Sequence, residues 1–253
     1  RSPPIHSFNA SRPILSQLAS QYRSDLVSEE IEEDIERFKG NLSSMQRLDL
    51  SPHVLRQYTL GRQVARMGER GENFAGVVEE ICKNREDKEA YVGWLKALTP
   101  NDVDDVVIAR GAQDEPMFAV KEKGRRYLAP VLSDGTLRFA ALAAAFFQPS
   151  PPSVLMIEEI ENGIHPTRLR LLIELLQTQA LRTGIQVIAT THSPYALAWL
   201  DKDQLGTTFL CSRQTEAGET KIVSLLEIPQ FVEALEQHPV HEMFAEGWFE
   251  LSA

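Results

Sequence analysis

The chain has 253 residues, with 26 Lys and Arg against 36 Asp and Glu, so its formal charge is −10. Phosphate binding is carried largely by Lys and Arg, which makes this acidic chain a poor nucleic-acid coat and leaves only a local basic stripe for such a partner. Cys82 and Cys211 are the only cysteines, which excludes a disulfide framework or a four-thiolate metal site and points to a reducing, cytoplasmic compartment.

Residues 1–24 are rich in Ser, Pro and Asn without a sustained period and are expected to be irregular or flexible. From Ser24 to Lys39, Leu26, Val27, Ile31, Ile35 and Phe38 recur at helical spacing among acidic residues, predicting a helix that Gly40 and Asn41 end. The acidic run reads as its solvated face. Leu48 to Leu60, broken by Pro52, reads as irregular or strand-like. Helices are expected over Phe74–Lys83 and Glu86–Leu98, followed by strands of a meander at Val103–Ala109 and Met117–Val120. The domain reading is thus an irregular segment at 1–24, a helical segment at 25–100 and a C-terminal lobe at 101–253.

The pattern sharpens from residue 131. Leu132-Ser133-Asp134-Gly135-Thr136 forms a turn into an apolar helix, Leu137 to Phe147. That nine-residue apolar run, Phe139 to Phe147, is the longest in the chain, far below the ~20 residues that cross a bilayer. Val154 to Ile157 is a continuous apolar strand ending in Glu158-Glu159, Pro166 opens a helix that Gly184 ends, and Gln186 to Thr190 is a second buried strand running into Thr191-His192-Ser193-Pro194. This is a βαβ unit, so the fold class is α/β with a parallel sheet flanked by helices. Ligands bind such sheets at the strand C-termini. Beyond it, Thr207–Cys211 and Thr220–Ser224 are expected as closing strands, then helices over Pro229–Glu236 and Phe244–Leu251.

The candidate chemistry sits at those strand ends. Successive strand residues face opposite sides, so Glu158 and Glu159 have different tasks: one suits a Mg²⁺-bound phosphate, the other a water. His192 ends the neighbouring strand, where an imidazole could touch the same phosphate. Ser133 and Gly135 open a helix whose free N–H groups suit an anion. Each feature alone has a plainer explanation: a wet strand end, a satisfied histidine, an ordinary N-cap.

Together with the loop Glu161 to Pro166, these three features resemble the C-terminal half of an ABC-type ATPase head of the branch that includes SMC-, RecF- and OLD-like proteins, closest to its stand-alone AAA-family ATPases. Leu132 to Thr136 resembles the signature motif, with Asp134 where transporters carry Gly. Val154 to Glu159 resembles the Walker B strand with its glutamate. Glu161-Asn162-Gly163-Ile164-His165-Pro166 matches the D-loop, although Ile160 stands where Pro is common, and His192 matches the switch histidine. Weaker similarity through Gly71-Glu72-Asn73-Phe74 and Leu60 reaches back to about residue 45. The resemblance implies a P-loop NTPase lobe that binds ATP and Mg²⁺ in an ATP-sandwiched dimer, with a second copy or a partner ATPase half. Ser133, Asp134 and Gly135 would meet the γ-phosphate held by the other protomer, Glu158 would support Mg²⁺, and Glu159 would activate water. His192 would sense the γ-phosphate, and Asn162 and His165 would line the dimer seam. Family analogy alone adds DNA maintenance or anti-phage defence; the length left after His192 gives the expectation that a nuclease or other effector is a separate protein, and the short apolar run that no membrane is a partner.

The phosphate-cradling G-x-x-x-x-G-K-[ST] is absent; Gly71 to Gly76 is followed by Val77-Val78 instead. The chain also starts at Arg1 without Met, and the two together give the expectation of a C-terminal portion of a longer polypeptide, inactive alone. Two other readings compete. One is a non-catalytic interaction module derived from such a head. The other is a hydrolytic metal site of Glu158, Glu161, His165 and His192, disfavoured because Asn162-Gly163 interrupts a helix between Glu161 and His165.

Overall fold

A computed structural model describes residues 29–59, 65–99, 103–213 and 218–249. The expectations for residues 1–24, for Leu26 and Val27, and for Leu60 and Leu251 lie outside these. Helix α1 spans Glu29–Ser43, past the expected stop at Gly40 and Asn41. A Cβ at Gly40 would meet open space, and a single interior glycine weakens a helix by only about 1 kcal/mol. The end comes where Ser43 Oγ donates to the Gly40 carbonyl and Ser44 Oγ to that of Asn41.

The passage after α1 resolves into strand β1, Gln46–Leu48, and a short helix α2, Pro52–Leu55, with Pro52 in its first turn. Proline suits that position because its missing N–H would have no partner there. Helices α3, Phe74–Ile81, and α4, Arg85–Leu98, follow the sequence expectation closely, and Asn84 caps α4 by accepting from Glu86 and Asp87 N–H. The antiparallel meander has strands β2 (Val103–Arg110), β3 (Pro116–Glu122) and β4 (Arg125–Leu128).

Helix α5, Asp134–Ala145, is the central element: every residue from Leu137 to Ala145 is buried. Its alanines let neighbours approach closely, and the buried Tyr91 hydroxyl of α4 donates to the Ala140 carbonyl at 3.0 Å. Strand β5, Val154–Ile157, then pairs in parallel with β1 on one side and with β6, Gln186–Ala189, on the other. Helix α6, Pro166–Thr183, connects β5 to β6 and ends at Gly184 with φ of 72°, a left-handed C-cap that glycine adopts without steric penalty. The parallel sheet order β1-β5-β6 carries the α/β architecture.

Two expectations are corrected here. Strand β6 is not buried: it is one of the two sheet edges among the described residues, and Ile188 is 48% exposed. Met156 of β5 is half-buried and Arg47 of β1 exposed on the same side, so one sheet face lies largely open. Strands β7 (Phe209–Arg213) and β8 (Thr220–Ser224) do not close the parallel sheet; they form their own antiparallel hairpin.

The short helices α7 (Pro194–Leu197), α8 (Lys202–Leu205), α9 (Phe231–Leu235) and α10 (Val240–Ala245) complete the described chain. Helix α9 lies within the expected Pro229–Glu236 but is shorter, whereas α10 starts four residues before the expected Phe244–Leu251. Buried apolar residues form a large cluster from Leu48 to Ala196 and a smaller one from Leu197 to Phe249. The helical residues 74–98 share the large cluster with α5 and the parallel sheet. Among the described residues no helix is long and apolar enough to cross a membrane.

Candidate functional site

The register Ile157↔Ala189 ends β5 and β6 side by side, so Glu158-Glu159 and the segment Thr190 to His192 leave the sheet together. The two segments are laced. Glu159 N–H donates to Thr190 Oγ1 at 3.0 Å, and Ile160 N–H donates to the Thr190 carbonyl at 3.1 Å. Glu161 reaches back in the opposite sense: Thr191 Oγ1 donates to its Oε2 at 2.6 Å and His192 N–H to its Oε1 at 2.8 Å. Glu159 itself has φ of 45°, an uncommon left-handed conformation for a residue with a Cβ.

Glu158 is not free. Arg47 from β1 donates Nε to its Oε1 at 3.0 Å and brings Nη2 to 2.8 Å, while Nη1 meets Glu69 at 2.6 Å. The Glu158 contact holds the Arg47 pKa above its ordinary value, aided by Glu69. Among the described residues no group of three His, Cys, Asp or Glu side chains is placed to hold a metal. Mg²⁺ typically takes one or two carboxylates and completes its shell with phosphate and water.

Ser133 caps α5, accepting from Thr136 N–H at 3.1 Å, with its hydroxyl 2.8 Å from that of Thr136. The first-turn N–H groups of Asp134 and Gly135 have no intrahelical partner, the usual condition for receiving an anion. Asp134 puts a carboxylate in that turn, and the structure supplies its counter-charge: Arg56 Nη2 meets Asp134 Oδ1 at 2.6 Å and donates to the Leu132 carbonyl at 2.8 Å. Arg56 thereby balances the Asp134 carboxylate in that turn.

The loop after β5 packs directly on this helix end. A Cβ at Gly135 would lie 2.6 Å from the Gly163 carbonyl oxygen, so backbone contact alone demands glycine there. Gly163 has φ of 72°, and a Cβ on it would press on Arg138 Cδ at 3.2 Å. Arg138 is buried; its Nη1 donates to the Leu50 carbonyl at 2.7 Å, and its Nε has no partner among the described residues. Burial lowers its pKa, opposed by the negative charges of Asp49, Glu159, Asp134 and Glu161.

Of the remaining expected residues, Asn162 is exposed, its N–H donating to the Glu159 carbonyl at 2.8 Å. His165 serves as the N-cap of α6, with Nδ1 accepting from Thr167 N–H. The exposed His192 is placed through its backbone. The structure thus joins the helix end 133–135, the loop 159–163 and the segment 190–192 in one run of contacts. Sequence reasoning missed Arg47, Arg56, Arg138, Thr190 and Thr191, and it gave Glu161 only a metal-ligand role. A surface cleft lined by Arg85, Lys88 and Asp105 among others contains none of these residues.

Known proteins show related chains. An "ATP/GTP phosphatase" of Helicobacter pylori (strain ATCC 700392 / 26695) is 26% identical over 159 residues, 61% of this chain and 40% of that protein. The chain thus spans less than half the length of that curated relative. Among solved structures, an SMC ATPase studied for ATP-driven dimerization and DNA-stimulated activation has a TM-score of 0.44 at 16% identity, covering 65% of this chain and 96% of that one. A Pyrococcus yayanosii Smc head domain with a coiled coil and joint has a TM-score of 0.44 at 17% identity, covering 68% and 29%. Residues 14–198, more than half of the chain, match the family AAA_21, described as "AAA domain, putative AbiEii toxin, Type IV TA system", and the chain belongs to that AAA-domain family.

Proposed function

We propose that this chain supplies the signature helix, water-activating glutamate and switch histidine of an ATP-hydrolysing head that works as an ATP-sandwiched dimer. The observation that carries the reading is the contact run from Ser133 through Gly163 and Glu161 to His192, which assembles four separately weak sequence features at the strand ends. Ser133 and the first turn of α5 would receive the γ-phosphate bound by the opposite protomer, Glu159 would orient the attacking water, and His192 would register the phosphate. Magnesium would arrive with the nucleotide, with Glu158 as its assigned support. Asn162 and His165, both exposed, belong to the proposed seam.

The P-loop would come from polypeptide outside these 253 residues. The exposed β6 edge and the open face beside Ile188 support this, because parallel sheets are ordinarily covered on both faces and a further β-strand and helix would complete this one. A role in DNA maintenance or phage defence, with a separate effector, rests on family analogy.

Two measurements test the proposal: ATP turnover, and self-association with and without ATP, for the polypeptide carrying this chain with its P-loop segment and for the 253 residues alone. The complete polypeptide should associate only with ATP, lose that response on Ser133→Arg, and stop hydrolysing on Glu159→Gln. The isolated chain should show negligible turnover. Assembly indifferent to nucleotide and to Ser133→Arg would instead identify a non-catalytic interaction module, and steady Glu159-dependent turnover by the isolated chain would overturn the P-loop assignment.

A further inference from the structure

Glu161 is a half-buried carboxylate with both oxygens committed to the neighbouring strand end. Its Oε2 takes the Thr191 hydroxyl at 2.6 Å and its Oε1 takes the His192 N–H at 2.8 Å. Thr191 Oγ1 also accepts from Ser193 N–H at 3.0 Å, which extends the tie to the start of α7. Hydrogen bonds to an ionised acceptor are about twice as strong as neutral ones. With each oxygen taken by a donor, Glu161 is not poised as a metal ligand. Its own backbone carbonyl accepts from Ile164 N–H at 2.9 Å, so the carboxylate is anchored in the loop that meets α5 at Gly163.

We propose that Glu161 is a positioning residue that fixes His192 relative to Glu159 and links that placement to the loop packed on the signature helix. It touches no reacting atom in this scheme. Glu159 is held to Thr190 and His192 is held to Glu161, so the two candidate catalytic groups share one hydrogen-bonded frame across adjacent strands. A shift of the 159–163 loop would therefore move the histidine's backbone directly. This inference rests on the proposed ATPase reading, but the bond itself can be tested without nucleotide.

The experiment combines amide hydrogen exchange with steady-state ATP hydrolysis in the P-loop-containing polypeptide, comparing wild type with Glu161→Ala, Glu161→Gln and Thr191→Val. Misplacing a reacting group by about 1 Å can lower a rate about 100-fold. Glu161→Ala should lower kcat by about 10- to 100-fold with KM for ATP within about threefold, and should speed exchange at the His192 amide while leaving Leu155 in β5 protected. Glu161→Gln should restore part of both, because its carbonyl oxygen can still accept from His192 N–H. Thr191→Val should show a smaller effect of the same kind. The proposal is overturned if Glu161→Ala leaves kcat within twofold of wild type, or if kcat falls with no change at the His192 amide. Failure of the ATPase reading shows up separately, as absent turnover in the wild type, with the exchange result still reporting on the bond.

Discussion

At Glu159, backbone strain and candidate chemistry coincide. Its φ of 45° places a side-chain-bearing residue where glycine is favoured, a state that costs about 1–3 kcal/mol for a non-glycine residue. The conformation persists because the surrounding bonds over-determine it: Glu159 N–H is held by Thr190 Oγ1, and its carbonyl accepts from Asn162 N–H. Replacing Glu159 with Gly removes the strain and adds about 0.5–1 kcal/mol of unfolded-chain freedom, two effects of opposite sign. Glu158 has no left-handed φ to relieve, so Glu158→Gly carries the entropic penalty together with the loss of its exposed Arg47 contact. Thermal unfolding should therefore find Glu159→Gly more stable than Glu158→Gly by about 1 kcal/mol or more, while Glu159→Gly in the P-loop-containing polypeptide should abolish the proposed ATP hydrolysis. Equal losses at both positions would show that the strain is not stored at Glu159.

At the scale of elements, the junction between α5 and the 159–163 loop is the tightest test of packing. A methyl group at Gly135 meets a backbone oxygen at 2.6 Å, and backbone cannot swing aside as a flexible side chain can. Gly135→Ala should destabilise the fold by about 1–3 kcal/mol and, in the P-loop-containing polypeptide, reduce the proposed ATP turnover with it. Gly93→Ala, where a Cβ meets nothing within 4 Å in the middle of α4, should instead stabilise by up to about 1 kcal/mol. Denaturant unfolding of the two variants measures the contrast. Much at this scale was legible in the sequence: the β5–α6–β6 unit, the Ser133 cap, the helix stop at Gly184 and the strand-end placement of Glu158, Glu159 and His192 all follow from local pattern. What was not legible is non-local. Strand β1 is three residues long and gains meaning only from pairing with β5 more than a hundred positions later. Arg47 on Glu158 and Arg56 on Asp134 are likewise contacts that no spacing rule reaches. The exposure of β6 was misread because an apolar run reports the capacity for burial, whereas burial itself depends on what lies alongside.

Across the whole molecule, the two hydrophobic clusters meet at α7. Ala196 belongs to the large cluster and Leu197 to the small one, while Leu200 packs against both. Helix α7 begins at Pro194, two residues after His192, and packs on α10 of the small cluster. The small cluster is centred on Phe231, fully buried, with ring centroids 5.9 Å from Phe249 and 6.2 Å from Trp248. Among the described residues its only sheet is the two-stranded β7–β8 hairpin, a marginal structure without support from such a cluster. Removing the Phe231 ring should withdraw about 3–5 kcal/mol, enough to open the small cluster locally while the larger core persists. The loss should travel in one direction. Helix α7 would loosen, and exchange at the Ser193 and His192 amides would rise; Glu159, held to Thr190 Oγ1 between Ile157 and Ile160 of the large cluster, would keep its protection. Hydrogen exchange of Phe231→Ala, read at Leu155, Glu159, His192 and the β7–β8 amides, checks the order. The hairpin should exchange fastest, His192 next, and Leu155 between its two parallel partners slowest. Uniform acceleration at all four would mean that the clusters unfold as one unit and that α7 transmits nothing separately to the histidine.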